Sequence, residues 1–211
     1  MKISLKRLDI ALRDDFARLF DIDAPQRGDL QHAFNELTLE VPANTLFATM
    51  QRLRDLPQFA FDTLVDITGV DYLDHRNKPK TAVSRFAVVY HLLSTTHNHR
   101  LRVRAFLDDD HLEAPSMVPL WQAANWMERE TFDMFGFVFT DHPDLRRILT
   151  DYHFEGYPFR KDFPLSGHLE IRYDEKQQRI VYESVTIPPR DNVPNVVREP
   201  DYADNAAKKK D

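Results

Sequence analysis

Alternating hydrophobic and polar residues predict β-strands at four places in the first half of the chain. The stretches lie at residues 35–41, 59–69, 81–93 and 101–107. A period of two is typical of a strand with one buried face. Short polar loops join the last three stretches, which favours antiparallel pairing between them.

Apolar residues at helical spacing predict three helices, at residues 1–20, 42–57 and 116–135. The first helix could lie on a membrane surface or a partner, or pack on its own core, and packing on the core is favoured. The order helix, strand, helix, three strands, helix predicts an α+β fold. We expect a two-layer domain with a mixed, mainly antiparallel sheet flanked by helices, plus a long Pro-rich C-terminal extension.

The distribution of proline suggests how the chain is divided. Seven of the 13 prolines lie from Pro143 onward. We therefore expect an α+β core domain at 1–140, an extended Pro-rich partner-contacting segment at 141–185 with one short strand near its end, and a C-terminal arm at 186–211. The arm has few large apolar groups, so it cannot fold alone. It either orders along a partner, which is favoured, or forms a disordered tail, and its last residues are expected to be disordered in both cases.

Composition removes several classes of chemistry. The sequence has 0 Cys and so no thiolate for a disulfide, a nucleophile, a zinc site or a conventional iron–sulfur cluster. It also lacks the glycine motifs of nucleotide-binding proteins and the common hydrolase motifs. The net charge of −6 argues against a general nucleic-acid binder. No apolar run reaches the roughly 20 residues of a membrane span.

Two groups of basic residues allow alternative interpretations. Three imidazoles could hold zinc or copper, but ordinary surface histidines are favoured. These are His91, His97 and His99. Three arginines in one strand could form an anion-binding face, but a solvated strand face paired with acids on a neighbouring strand is favoured. These are Arg100, Arg102 and Arg104.

A charged cluster occupies the end of the third predicted helix, at residues 128–136. Helical spacing places Glu128 on an aromatic face, where a buried carboxylate must be hydrogen-bonded, paired or protonated. Arg129 and Asp133 are four residues apart and can pair. Glu128 and Glu130 point about 200° apart, so they cannot act together as an acid and a base on one substrate. We therefore expect a structural network that joins the helix to the following loop.

A second cluster combines two phenylalanines, a charged triplet and two prolines in residues 156–164. An extended backbone with aromatic and arginine side chains loses little entropy on binding, so the composition is typical of an interface. The alternative is a loop that packs on its own sheet. The interface is favoured, and its predicted residues are Tyr157, Pro158, Phe159, Arg160, Lys161, Asp162, Phe163 and Pro164.

Together the two clusters resemble the 30 kDa subunit family of respiratory complex I, which in bacteria provides the C subunit of NADH-quinone oxidoreductase. The second cluster, G-Y-P-F-R-K-D-F-P-L at residues 156–165, is similar to another hallmark of the family. The residues that follow the family signature, and that we expect in the structural network, are Glu128, Arg129, Glu130, Asp133, His142 and Arg146.

The resemblance implies a cofactor-free structural or assembly subunit in the peripheral arm of a proton-translocating enzyme. It implies that FMN, the iron–sulfur clusters and quinone belong to partner subunits, and that this chain carries no catalytic, cofactor-binding or metal-binding residues. The implied partners are the D subunit, of the 49 kDa type, and the B subunit, which holds the terminal cluster. The implied location is the cytoplasmic side of the bacterial inner membrane, with membrane contact only through the complex. The alternative is the equivalent subunit of a related membrane-bound hydrogenase or other quinone-reducing complex.

Overall fold

The computed structural model describes residues 5–16, 30–73, 84–151 and 153–187. The predicted arm beyond residue 187 lies outside the described residues. The helices are α1 (Leu5–Phe16), α2 (Leu46–Asp55) and α3 (Ala124–Phe135). The strands are β1 (Leu30–Ala33), β2 (Glu36–Glu40), β3 (Thr63–Asp71), β4 (Phe86–Ser94), β5 (His99–Phe106), β6 (Glu113–Pro115), β7 (Val138–Thr140), β8 (Leu169–Asp174) and β9 (Arg179–Ser184).

Five strands form one sheet in the order β1-β2-β5-β4-β3. β2 and β5 run parallel, and the other neighbours run antiparallel. This confirms the predicted α+β class with a mixed, mainly antiparallel sheet. Buried side chains on one face of the sheet form a single core with buried side chains of the helices. Those of the helices include Leu8 of α1, Met50 of α2 and Met134 of α3.

The opposite face of the sheet carries the arginines of β5. Arg102 pairs with Glu36 of β2 at 2.6 Å, and Arg104 pairs with Glu40 of the same strand. The predicted pairing with acids on a neighbouring strand is therefore confirmed for these two arginines. The parallel pairing of β2 with β5 places Glu40 directly opposite Arg104, whereas Glu36 lies two positions before Thr38, the residue opposite Arg102.

The N-terminal helix packs on the core, which is the alternative that the sequence favours. Leu8 and Leu12 of α1 are fully buried. Within the described ranges, no helix has the length and apolar character to cross a membrane.

Several boundaries differ from the prediction. α3 begins at Ala124 rather than near 116, because turns lie within residues 118–123. β3 has a bulge between Leu64 and Asp66, so the alternation predicted for 59–69 is broken and Val65 is 44% exposed. The short strands β1, β6 and β7 were not predicted.

The chain divides into two compact units between Phe163 and Pro164, and residue 140 lies within the first of them. In the first unit, backbone groups of the segment after β7 bond to the end of α3 and to β3, so this segment belongs to the core unit. The second unit contains an antiparallel hairpin of β8 and β9. Where one short strand was predicted, there are therefore two.

A glycine in β3 allows α3 to approach the sheet closely. A Cβ atom on Gly69 would lie 2.6–2.9 Å from the Phe135 ring. Since the ring is held between helix and sheet, Gly69→Ala is expected to destabilise the chain by about 1–3 kcal/mol. Urea unfolding of G69A, F135L and the double variant measures this, and the double variant should be more stable than the sum of the single effects predicts. Additive effects would contradict the close contact.

Candidate functional site

Asp133 organises the loop that follows β7. Its side chain is fully buried at the end of α3 and accepts hydrogen bonds from three consecutive backbone N–H groups. These donors are Ile148, Leu149 and Thr150, at 2.7–3.0 Å. The Thr150 hydroxyl and the Arg147 guanidinium also donate to it, at 2.5 and 2.9 Å. One carboxylate thus fixes the conformation of the loop.

The electrostatics of Asp133 follow from these donors. Burial by itself raises the pKa of the carboxyl group, but the hydrogen bonds from Thr150, Leu149 and Ile148 outweigh it and lower the pKa to about 2. The group is therefore ionised at any physiological pH, and its charge is satisfied within the fold.

Glu128 lies on α3 in a different environment. The residue is fully buried, as predicted. Its carboxylate accepts hydrogen bonds from the Ser116 hydroxyl at 2.7 Å and from the Met117 N–H at 2.6 Å. Burial raises its pKa to about 7, and the two hydrogen bonds offset only part of this effect. The imidazole of His142 lies nearby, with Nε2 3.9 Å from Glu128 Oε2.

The predicted ion pair between Arg129 and Asp133 does not form. The Arg129 guanidinium donates instead to the carbonyl oxygens of Arg146 and Arg147, at 3.1 and 3.5 Å. Arg147 takes the position beside Asp133 that was expected for Arg129. The arginine side chain reaches the loop carbonyls because the loop folds back along the helix.

Of the remaining signature residues, His142 connects the loop to α3, whereas the side chains of Arg146 and Glu130 are exposed to solvent. His142 contacts the carbonyl of Asn125 at 3.3 Å, which ties the loop to the start of α3. Arg146 forms an exposed ion pair with Asp144 at 2.8 Å. Glu130 is exposed and has no ion-pair partner in the part of the chain that the structure describes. The network therefore includes Glu128, Arg129, Asp133 and His142, with Glu130 outside it.

The second cluster docks on the edge of the sheet. Asp71, at the end of β3, accepts a hydrogen bond from the Lys161 N–H at 2.8 Å and pairs with Arg85 at 2.6 Å. Arg85 also pairs with Asp162 at 3.0 Å. Burial would raise the Asp71 pKa, but the bonds from Arg85, Lys161 and Leu73 lower it to about 2. Part of the predicted interface is thus bound within its own unit.

Arg160 is also used internally. Its guanidinium donates to the Phe135 carbonyl oxygen at 2.7 Å and lies over the rings of Tyr157 and Phe86. These groups approach Gly136, where φ is +79° and an added Cβ would lie 2.6 Å from the Tyr157 ring. Glycine at this position both ends α3 and leaves room for the segment.

Large apolar side chains near the two clusters remain exposed. Trp126 of α3 is 65% exposed, Leu149 is 60% exposed and Phe159 is 57% exposed. Phe159 donates its N–H to the Met134 carbonyl and packs edge-on against Phe135, so its backbone is fixed while half of its ring faces outward. Exposed aromatic groups on an ordered backbone are typical of protein interfaces.

The three histidines do not form a metal site. His91 lies on the sheet face that carries the arginines of β5, since it pairs with Arg102. His99 is buried and contacts the Phe59 carbonyl. It lies on the opposite sheet face, because it alternates along β5 with those arginines. His97 stacks on His99 and contacts the Pro57 carbonyl. Across the described ranges, no group of three His, Cys, Asp or Glu residues is arranged to hold a metal.

Residues 39–169 match the family model described as respiratory-chain NADH dehydrogenase, 30 Kd subunit. This match begins within β2 and includes β3, β4, β5, α3 and both clusters. The chain belongs to this family. The resemblance predicted from the two clusters is confirmed.

Relatives support the same assignment over most of the chain. The C subunit of NADH-quinone oxidoreductase from Azoarcus sp. (strain BH72) is 47% identical over 205 residues, covering 97% of this chain and 98% of that protein. The corresponding protein of Aromatoleum aromaticum is 55% identical over 170 residues, covering 80% and 84%. This family member is therefore a complex I subunit, and the comparisons do not support the hydrogenase alternative.

Two solved structures share the fold. The trypsin-resistant fragment (1-134) of Nqo5 has a TM-score of 0.55 at 30% identity, covering 66% of this chain and 99% of that chain. A chain in the membrane-bound sulfane sulfur reductase, an archaeal respiratory membrane complex, has a TM-score of 0.52 at 24% identity, covering 72% and 85%. The second likeness concerns the fold alone.

Sequence reasoning missed the groups that satisfy the buried carboxylates. Asp71 stands at the end of a predicted strand, and its partner Lys161 lies 90 positions away. Arg147 is adjacent to the signature residue Arg146 and gave no signal of its own. The hydroxyl of Thr150 could have been suspected, because short polar side chains often bond to nearby loop groups.

Asp133→Asn is expected to reduce the free energy of unfolding by about 2–4 kcal/mol, since a buried charged acceptor of several hydrogen bonds is lost. The Asp133 pKa is lower in the folded than in the unfolded chain, so its stabilisation is present above the unfolded value of 3.8 and is lost as the pH falls toward 2. Between pH 5 and pH 3, the wild type should therefore lose about 1 kcal/mol more than D133N. Urea unfolding at both pH values measures this.

Asp144→Asn is the matched control in the same loop. Asp144 pairs with Arg146 on the surface, where an ion pair contributes about 0–1 kcal/mol. D144N should therefore keep the acid sensitivity of the wild type. If D133N and D144N behave alike, the loop does not depend on the Asp133 carboxylate.

Proposed function

We propose that this chain is a structural and assembly subunit of the peripheral arm of NADH-quinone oxidoreductase that carries no cofactor and no catalytic residue. The use of the signature residues supports this proposal. Most of their ionisable groups form hydrogen bonds within the chain, while large apolar side chains near them are exposed to solvent. Asp133 and Arg129 bind loop backbone, and Trp126 and Leu149 are exposed.

The absence of thiolates supports the cofactor-free part of the proposal. The 211 residues contain 0 Cys, so they supply no conventional ligand to an iron–sulfur cluster. FMN, the clusters and quinone would then be bound by neighbouring subunits. In such a complex this chain contributes contacts and positions its neighbours, and the electron transfer takes place in other chains.

Two surfaces suit contact with partners. On the first unit, the exposed side chains of Trp126, Leu149 and Phe159 are proposed as one of them. The other is the apolar face of the β8–β9 hairpin, whose large side chains are 45–61% exposed. An isolated two-stranded hairpin is at best marginally stable in water, so a covering partner would stabilise it. Its five apolar side chains are Leu169, Ile171, Tyr173, Ile180 and Tyr182.

We propose the 49 kDa-type subunit and the terminal-cluster subunit as the partners that these surfaces contact. The predicted interface at residues 157–164 takes part mainly through Phe159, because the Arg160 side chain is bound within its own unit. The proposed location is the cytoplasmic side of the inner membrane, with attachment to the membrane through the complex.

Phe159→Ala is expected to weaken assembly several-fold while changing the melting temperature of the isolated chain by only a few degrees, because half of the ring faces outward. Arg160→Ala should lower the melting temperature more, since Arg160 binds the Phe135 carbonyl and two rings. Co-purification of the two proposed partners with tagged variants from native membranes measures assembly. Thermal unfolding of each purified chain measures stability.

Phe34→Ala is the matched control, because Phe34 is fully exposed at the β1–β2 turn and belongs to neither proposed surface. It should leave both measurements unchanged. Normal recovery of both partners with F159A would contradict the interface. Recovery of other complex I subunits without either of these two would contradict the choice of partners.

The cofactor-free proposal has its own test. The purified chain is expected to contain no stoichiometric iron, zinc or flavin, since neither thiolates nor a suitable group of donors is available in the described ranges. Elemental analysis and absorption spectroscopy measure these contents. A stoichiometric metal that survives dialysis against a chelator would overturn it.

A further inference from the structure

The C-terminal ends of two short strands lie beside Glu128. β6 and β7 pair in parallel, with Pro115 opposite Thr140, so both strands end at the same place. Ser116 follows β6 directly and donates its N–H to the Thr140 carbonyl at 3.0 Å. His142 follows β7 by two residues. We call this pair of strands and the residues after them, 113–117 and 138–142, the β6–β7 ribbon.

The Glu128 carboxyl group holds the first half of this ribbon to α3. Ser116 Oγ and the Met117 N–H donate to different oxygens of the carboxylate, at 2.7 and 2.6 Å. A carboxylate has about four acceptor positions, so these two donors satisfy only part of its capacity. A neutral carboxyl group still accepts hydrogen bonds, and it is far less costly to bury.

The hydrogen bonds of His142 determine which group can hold a proton. Its Nδ1 accepts the Asp144 N–H at 3.0 Å, so the ring proton is on Nε2, which faces the Asn125 carbonyl and Glu128. A second proton on Nδ1 would remove the bond from Asp144. The imidazole is therefore held neutral, and burial lowers its pKa.

Other groups of the described chain near Glu128 supply no compensating charge. The Tyr90 hydroxyl, on β4, is buried without a hydrogen-bond partner among the described residues, and the Glu128 charge would raise its pKa further. Arg129 donates to loop carbonyls, and in the described part of the chain it makes no ion pair with Glu128. Both Arg129 and Asp144 act electrostatically on His142, in opposite directions.

We propose that Glu128 is a proton-operated latch: the protonated carboxyl group holds the β6–β7 ribbon against α3, and ionisation of this group favours local opening of the ribbon. The ribbon is suited to such opening because each strand has only three residues. It also leads into the loop that Asp133 fixes, so opening of the ribbon would affect this loop through His142.

The direction of the pH effect follows from burial. Burial raises the pKa of Glu128 from 4.5 to about 7 in the closed state. The closed state therefore binds a proton more tightly than an open state in which the carboxyl group is hydrated. Its stability is fully present below 4.5 and declines as the pH rises toward 7.

Hydrogen exchange of the full-length chain tests the latch. After correction for intrinsic exchange, protection of the Ser116 and Met117 amides should fall about 20-fold between pH 5.5 and pH 7.5 in the wild type. Glu128→Gln keeps an acceptor in the same place and is neutral at every pH. In E128Q the same protection should change by less than about twofold.

Glu130→Gln is the matched control, because Glu130 lies on the same helix but is exposed. E130Q should show the wild-type fall. A wild type with equal protection at both pH values, or an E128Q variant with the full fall, overturns the proposal.

A further variant separates Glu128 from His142. His142→Asn retains an acceptor for the Asp144 N–H, and the fall should persist in H142N. Loss of the fall would assign the proton to His142 and overturn the latch. Carbon-13 titration of the Glu128 carboxyl in the wild type needs no variant to fold: a midpoint near 7 supports the latch, and one below about 5 overturns it.

Discussion

The buried carboxylate of Asp133 is the interaction on which the second half of the first unit depends. It turns three consecutive backbone N–H groups of a loop toward one point and adds a hydroxyl and a guanidinium. A loop without regular structure has no ladder to satisfy its backbone, so a charged acceptor in the core takes that role. Asp71 holds the 157–163 segment at the sheet edge through a single backbone hydrogen bond, from the Lys161 N–H. Together the two carboxylates attach residues 141–163 to the sheet and α3.

Glu128 and Asp133 show how strongly the number of donors controls a buried acid. Both side chains are fully buried on one helix, five positions apart. Asp133 has five donors and a pKa of about 2, whereas Glu128 has two donors and a pKa of about 7. Burial acts in the same direction on each, so the difference comes from the neighbouring dipoles and charges. The same helix thus carries one permanently charged anchor and one group whose charge changes near neutral pH.

The sequence predicted those features that depend on local periodicity. Strands such as β2 and β5 were recognised because their apolar and polar residues alternate. The bulge in β3 could not be predicted, since it depends on pairing with β4. The burial of Glu128 could be predicted from helical spacing. Its hydrogen-bond donors could not, because Ser116 is placed beside Glu128 by the pairing of two three-residue strands that the sequence did not predict. The pairing of Arg129 was wrong for a similar reason: the returning loop offered it carbonyl groups that a helix alone does not have.

The bond from the Lys161 backbone to Asp71 has a consequence for the order of folding. Its partners are 90 positions apart, and those of the bond from Arg147 to Asp133 are 14 apart. Contacts between distant positions form slowly, because a long loop must close before they contribute. During synthesis β3, the edge strand of the sheet, emerges long before residue 161. Asp71 at the end of β3 therefore lacks its bond from Lys161 until that residue has been made. The nascent chain therefore passes through a stage in which the sheet exists but its last anchor is missing.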